Sequence, residues 1–150
     1  MCSNHATVRG LLHELPADGP FVLVDNEASP EHLSRSTTEA VDILLVIAEP
    51  YFKSLETARR YSIMAKELGI PQVSVVANKV RDPNDMAAIE EFCDTNDMHL
   101  MGQIPFDDML GSAERAGVAP VDFDDNAPSV RAIAGLVDEI LATTATRSPR

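Results

Sequence analysis

The stretch 41-VDILLVIAEPYFKSLETARRYSIMAKELGIPQVSVVANK-79 has the pattern of a strand, a helix and a second strand. Residues 41–48 and 73–77 are apolar, β-branched runs of strand length. Between them, residues 54–68 place apolar side chains approximately along one helical face, and Gly69 and Pro71 stop this helix. We expect Ser54 to serve as its N-cap. Two apolar strands joined by a helix predict a parallel pair.

The rest of the chain continues the same alternation of strands and helices. Two further strands are predicted at residues 21–25 and 99–104, and helices at residues 5–15, 31–39, 83–93 and 129–142. The sequence therefore predicts one α/β domain over residues 1–150, with a mostly parallel sheet flanked by helices on both faces. We expect residues 143–150 to form a frayed tail.

The composition of the chain narrows the classes of protein to which it could belong. Hydrophobic residues make up 45% and charged residues 24%, and the formal net charge is −12. An acidic surface disfavours binding to nucleic acid or to an anionic membrane, and no segment approaches the ~20 apolar residues of a membrane span. Two cysteines make no disulfide framework, so we expect a reducing, cytoplasmic location.

Polar residues follow each predicted strand. Asp25 ends the first, Glu49 follows the second, Asn78 and Lys79 follow the third, and Pro105-Phe106-Asp107 follows the fourth. In an open parallel sheet, ligands bind at the carboxyl ends of the strands. The sequence therefore predicts a ligand site where these segments converge.

Several of these residues have two interpretations. Asp25 could hold Mg²⁺ beside a phosphate, or it could cap the turn that follows. Asn78 can donate and accept at the edge of a purine base, or it can form a turn. Cys2 and His5 could ligate a metal ion, or Cys2 could be an ordinary terminal cysteine. Cys93 lies on the apolar side of a helix and is predicted to belong to the core.

Four segments together resemble the carbon monoxide dehydrogenase maturation ATPases, which belong to the deviant-Walker MinD/ParA group of P-loop proteins. They are VLVDNEASPEHLSR (22–35), VDILLVIAEPYFKSLETARR (41–60), KELGIPQVSVVANKVRD (66–82) and GQIPFDDML (102–110). The likeness runs in unbroken order over roughly residues 2–120. It implies a CobQ/CobB/MinD/ParA-type nucleotide-binding fold and an ATP- and Mg²⁺-dependent homodimer that delivers nickel to a client metalloenzyme of the carbon monoxide dehydrogenase type.

The resemblance also implies roles for particular residues. Asp25 matches the carboxylate that positions Mg²⁺, and Glu27 lies in the adjacent switch. Asn78, followed by Lys79, matches the residue that contacts adenine, and Pro105-Phe106 matches the loop beside the base. Cys2 matches the second cysteine of a Cys-x-Cys pair that binds nickel or zinc at the dimer interface.

The chain departs from the family in two respects. It contains neither G-x-x-x-x-G-K-[ST] nor G-x-G-x-x-G, and its seven glycines are dispersed. The glycine of the switch is replaced by Ser29, and Pro30 restricts Ser29 to extended conformations. We therefore expect a C-terminal portion of a MinD/ParA-like domain, without the first strand and P-loop, that does not hydrolyse ATP alone. With an inner strand of its sheet missing, the isolated chain should be unstable or aggregate.

Two alternatives remain. A partition or membrane-targeting ATPase would favour a basic amphipathic C-terminal helix, but Arg131 is the only cation in residues 130–142. An α/β interaction or regulatory module, derived from such an ATPase but independent of nucleotide, agrees with Ser29-Pro30 and with the absent phosphate loop.

Overall fold

A computed structural model describes residues 21–25 and 41–145 as an α/β structure with three parallel strands flanked by helices. The elements, in chain order, are β1 (Ile43–Ala48), α1 (Phe52–Glu67), β2 (Gln72–Val80), α2 (Pro83–Thr95), β3 (His99–Pro105), α3 (Asp108–Ala116), α4 (Pro120–Phe123) and α5 (Pro128–Ala145). The sheet order is β1-β2-β3, and each neighbouring pair is parallel. The predicted α/β fold is confirmed.

The strands are apolar because helices cover both faces of the sheet. Along β2, Val75 and Ala77 belong to the core under α1 and α2, whereas Val76 belongs to a second cluster with Leu136 of α5. Successive strand side chains point to opposite faces, so a strand covered on both sides needs apolar residues at every position. Ile89 and Cys93 of α2 complete the first core, and Cys93 is buried as predicted.

The helix boundaries follow local capping chemistry. Asp82 caps α2, because its carboxylate accepts from the backbone N–H groups of Asn84 and Asp85. Gly117 ends α3 in the left-handed conformation, with φ at 66°. The Ser54 prediction is wrong: α1 begins at Phe52, and the hydroxyl of Ser54 accepts instead from the backbone N–H of Glu49 at 3.0 Å.

The strand predicted at residues 21–25 is also wrong in this structure. The segment has no regular secondary structure, and Phe21, Val22 and Leu23 are exposed. A strand requires a hydrogen-bonded neighbour, and none of the strands at residues 43–105 pairs with this segment. Its apolar composition favours a strand, but composition alone does not supply the partner.

The other predicted elements of the described region are confirmed with small shifts at their ends. The sequence analysis missed α3 and α4. The helices predicted at residues 5–15 and 31–39 lie outside the described residues. Residues 143–145 are helical here, and 146–150 are not described, so the frayed tail remains a prediction. None of the described helices is long and apolar enough to cross a membrane.

Candidate functional site

The carboxyl ends of the three strands form one rim of the sheet. Ala48 pairs with Ala77, and Val80 pairs with Pro105, so Glu49 after β1, Asn78-Lys79 near the end of β2 and Phe106 after β3 lie at the same edge of the sheet. The backbone N–H of Phe106 donates to the carbonyl oxygen of Val80 at 2.9 Å, which extends this contact beyond β3. The predicted convergence of these three polar segments is therefore found.

The Asn78-Lys79 segment interrupts the regular pairing of β2 with β3. The register shifts between Asn78 and Val80, and Lys79 adopts a left-handed conformation with φ at 58°. Asn78 Oδ1 accepts from the backbone N–H of Lys79 at 3.0 Å, which supports the bulge locally. A left-handed non-glycine residue costs roughly 1–2 kcal/mol, and such outliers concentrate at functional sites.

The bulge directs Lys79 across the rim to β1. Lys79 Nζ lies 2.9 Å from Glu49 Oε1, and both side chains are partly exposed. Water screens such a pair, so we expect a contribution of at most about 1 kcal/mol. The pair joins the ends of β1 and β2, and the contact between Glu49 and Ser54 extends the connection to α1.

The Phe106 ring forms the apolar surface of the rim. It is 36% exposed, and the guanidinium carbon of Arg81 lies 3.6 Å from the ring centroid. That distance is within the range of a cation–π contact. The backbone N–H of Arg81 donates to Asp85 at 2.9 Å, which fixes the loop carrying Arg81. The sequence analysis missed Arg81, because the stacking joins two loops that are remote in sequence.

Beside this loop lies an open groove of about 450 Å³. Residues of the β2–α2 connection, of α2 and of β3 line it, among them Val80, Arg81, Met86 and Gln103. Arg81 thus borders both the groove and the Phe106 ring.

Asp107 connects the rim to two helices. Its Oδ1 accepts from the backbone N–H of Met109 at 2.9 Å, and its Oδ2 accepts from the backbone N–H and hydroxyl of Ser129 at 3.2 and 2.9 Å. These hydrogen bonds, first those from the backbone of Met109 and Ser129, hold the pKa of Asp107 below its usual value. The sequence analysis placed Asp107 after the fourth predicted strand but gave it no role of its own, although an Asp directly before a helix is an N-cap signal.

The rim suits a purine base better than it suits phosphates. Asn78 is half-buried, and its Nδ2 has no hydrogen-bond partner among the described residues. An amide donor and a partly exposed aromatic ring on the same rim can provide an edge contact and an apolar contact for a base. Lys79, which lies at the rim, is paired with Glu49. The described part of the chain therefore fits the base of a nucleotide, and a phosphate cradle is not found within it.

The remaining predicted site residues are not brought to this rim by the described contacts. Asp25 is exposed, and none of the hydrogen bonds and ion pairs between described residues involves it. Glu27 and Cys2 lie outside the described residues, so their roles stay predictions. Within residues 21–25 and 41–145, no group of three His, Cys, Asp or Glu side chains could hold a metal ion.

Comparison with curated proteins identifies the relatives of this chain. It is 42% identical over 123 residues to the carbon monoxide dehydrogenase accessory protein CooC of Rhodospirillum rubrum, a match that covers 81% of this chain and 46% of that protein. The chain is therefore homologous to CooC. An uncharacterised ATP-binding protein of Methanocaldococcus jannaschii is 30% identical over 142 residues, which cover 93% of this chain and 56% of that protein. The CooC-like chain thus spans about half the length of the curated relatives it matches.

Solved structures give the same fold. The cell division ATPase MinD of Pyrococcus furiosus superposes with a TM-score of 0.76 at 19% identity, over 93% of this chain and 59% of that one. MinD of Pyrococcus horikoshii, in complex with Mg-ADP, superposes with a TM-score of 0.73 at 17% identity, over 95% and 60% of the two chains. The CooC-like chain therefore has a partial MinD-like fold, as predicted. No family model matches it.

Proposed function

We propose that this chain forms the base-binding side of an ATP-binding unit in a metal-delivery ATPase that serves a carbon monoxide dehydrogenase-like enzyme. The observation that carries the proposal is the rim, where Asn78 near the end of β2 and the exposed ring of Phe106 just after β3 lie on adjacent parallel strands, and where the Asn78 amide donor has no partner among the described residues. The homology to CooC, a carbon monoxide dehydrogenase accessory protein, supports the class of client, and nickel is the cargo that the family resemblance implies. The unit works as a homodimer in the cytoplasm.

Each of the site residues has a separate task in this proposal. The Asn78 amide hydrogen-bonds the edge of adenine, and Phe106 with Pro105 packs against its face. Lys79 holds Asn78 in place through the bulge and its pair with Glu49. When bound, Mg²⁺ neutralises phosphate charge, and Asp25 is the carboxylate that would hold it, with Glu27 in the adjacent switch. Cys2 would bind the cargo metal.

The 150 residues by themselves do not hydrolyse ATP in this account. Phosphoryl transfer relies on backbone N–H groups and a lysine around the transferred phosphate, and the sequence contains no loop with that pattern. Phosphate release by the purified 150-residue chain above an enzyme-free control would contradict this statement.

Mg-ATP binding by the protein purified from its source organism tests the proposal. The Asn78→Ala substitution removes the amide and should raise the Kd for ATP by about tenfold, a typical value for one hydrogen bond in a binding site. Asn96→Ala is the matched control, because Asn96 Nδ2 donates to the carbonyl of Phe92 at the opposite end of the sheet. Equal affinities in the Asn78→Ala and wild-type proteins would refute the assignment of Asn78.

A second candidate is a nucleotide-independent interaction or regulatory module. Ser29-Pro30 in place of the switch glycine favours it, because the pair restricts the backbone where the family requires mobility. A folded native protein that binds no Mg-ATP at millimolar concentration would favour this module over the ATP-binding unit.

A further inference from the structure

The side chain of Asp107 spans the starts of two helices. It follows Phe106 directly and is half-buried. One carboxylate oxygen accepts from the backbone N–H of Met109 in the first turn of α3. The other accepts from both the backbone N–H and the hydroxyl of Ser129 in the first turn of α5. Helix N-termini present unpaired N–H groups and a partial positive charge, so a single carboxylate satisfies donors of two helices at once.

The connection to α5 is a tertiary one. Ser129 lies 22 residues beyond Asp107 and is fully buried. Farther along α5, Leu136 packs with Met101 and Val76 on the face of the sheet. Asp107 therefore ties the loop that carries Phe106 to a helix that is itself anchored on β2 and β3.

We propose that Asp107 is a positioning residue for the nucleotide base: by linking the first turns of α3 and α5, it fixes the main chain that presents Phe106. This inference rests on the proposed function, since it assumes that the base contacts Phe106. The other end of the Phe106 main chain is held by its N–H donation to Val80. With both sides fixed, the ring meets the base in one orientation, and less ordering is needed on binding.

A simple helix cap would be a narrower role, and the geometry argues against it. Capping α3 requires only the oxygen that accepts from Met109. The second oxygen has two donors on α5, at 2.9 and 3.2 Å. An asparagine could not replace both functions, because its amide nitrogen would face N–H donors. A serine could cap α3, but its shorter side chain has only one oxygen for both helices.

The test compares variants of the protein purified from its source organism, each made in its natural gene. Asp107→Ser retains a favourable cap for α3 and removes the link to α5. Ser129→Ala keeps Asp107 and removes only the hydrogen bond from the Ser129 hydroxyl. Ile70→Val is the control for stability, because Ile70 is buried at the amino end of β2, at the opposite edge of the sheet.

Two quantities are measured: the Kd for Mg-ATP, and the ratio of the Kd values for Mg-GTP and Mg-ATP. Asp107→Ser should raise the Kd for Mg-ATP by about tenfold and move the ratio toward one, because a loosely held ring no longer holds the base in register with the Asn78 amide that reads its edge. Ser129→Ala should shift both in the same direction by about threefold. Ile70→Val should lower Tm and leave both quantities unchanged.

The outcomes separate this inference from the proposed function. Asp107→Ser and Ser129→Ala proteins that keep the wild-type affinity and ratio would overturn the positioning role. Failure of the wild-type protein to bind Mg-ATP would refute the proposed function, and the positioning role would fall with it. If the Asp107→Ser protein does not fold, the Ser129→Ala protein alone tests the positioning role. That protein keeps the hydrogen bond from the backbone N–H of residue 129 to Asp107.

Discussion

The packing of α5 on β3 gives a prediction whose sign depends on one side chain. A Cβ added at Gly102 would lie 2.8 Å from Leu136 Cδ2 and 3.8 Å from Leu136 Cγ, and, apart from its chain neighbours, would meet no other heavy atom of the described residues within 4 Å. Carbon atoms in contact prefer about 3.5–4.0 Å, so Gly102→Ala forces Leu136 to move. Leu136 is buried between α5 and the sheet, which limits that movement.

The magnitude follows from two opposing effects. Overpacking of a core costs about 1–3 kcal/mol, whereas replacing glycine by alanine at an unstrained backbone position gains about 0.4–1 kcal/mol. Gly102 does not have a left-handed φ, so the gain applies. We expect Gly102→Ala to destabilise the protein by about 1 kcal/mol and to lower Tm by about 2–4 °C.

The sign should reverse when Leu136 is shortened. Leu136→Ala costs about 2–5 kcal/mol by itself and removes both atoms that the new methyl group would meet. In that background, Gly102→Ala should stabilise the protein by about 0.5 kcal/mol, which gives a coupling energy of about 1.5 kcal/mol. Thermal unfolding of the wild type, both single variants and the double variant measures this cycle. If the effects of the two single substitutions add to within about 0.5 kcal/mol, which is roughly the usual experimental scatter, the placement of α5 on β3 is refuted.

Three further predictions concern single residues. The Lys79→Gly protein should be about 1 kcal/mol more stable than the Lys79→Ala protein, and therefore have a higher Tm, because only glycine relieves the left-handed strain at φ 58°. Equal Tm values for the two variants would contradict the strain argument. The hydrogen bond from Arg59, together with one from Arg60, lowers the pKa of Glu56 from 4.5 to about 2. The stabilising contribution of the ionised Glu56 is therefore complete above pH 4.5 and is lost as the pH falls toward 2. An NMR titration of Glu56 with a midpoint near pH 4.5 would contradict this prediction. Burial raises the pKa of the Cys93 thiol, so a thiol reagent should modify Cys93 only after the protein is unfolded; peptide mapping that finds modified Cys93 in the native protein would show that α2 opens.

The sequence predicted those features of the fold that depend on local pattern. Apolar runs at β1 and β2 indicated strands covered on both faces, and the structure places Val75 and Val76 in separate cores. The same reasoning predicted that Asn78 and Phe106 would lie at one edge of the sheet, because parallel strands end at the same edge. These predictions needed only the periodicity of side chains and the direction of the strands.

Features that depend on tertiary contacts could not be predicted in this way. The hydrogen bonds between Asp107 and Ser129 cross 22 residues of sequence, and no local pattern contains them. The stacking of Arg81 on Phe106 likewise joins two loops. The predicted strand at residues 21–25 failed for the related reason that strand pairing is itself a tertiary contact.

Photolabelling with 8-azido-ATP tests the central claim most directly, because the reactive group sits on the base. The protein purified from its source organism would be labelled in the presence of Mg²⁺, with and without excess ATP, and the modified peptides mapped by mass spectrometry. The account predicts label on the peptides that contain Asn78 and Phe106, lost when ATP competes. Absence of competed label, or label confined to other peptides, would contradict the assignment of this rim as a base-binding site.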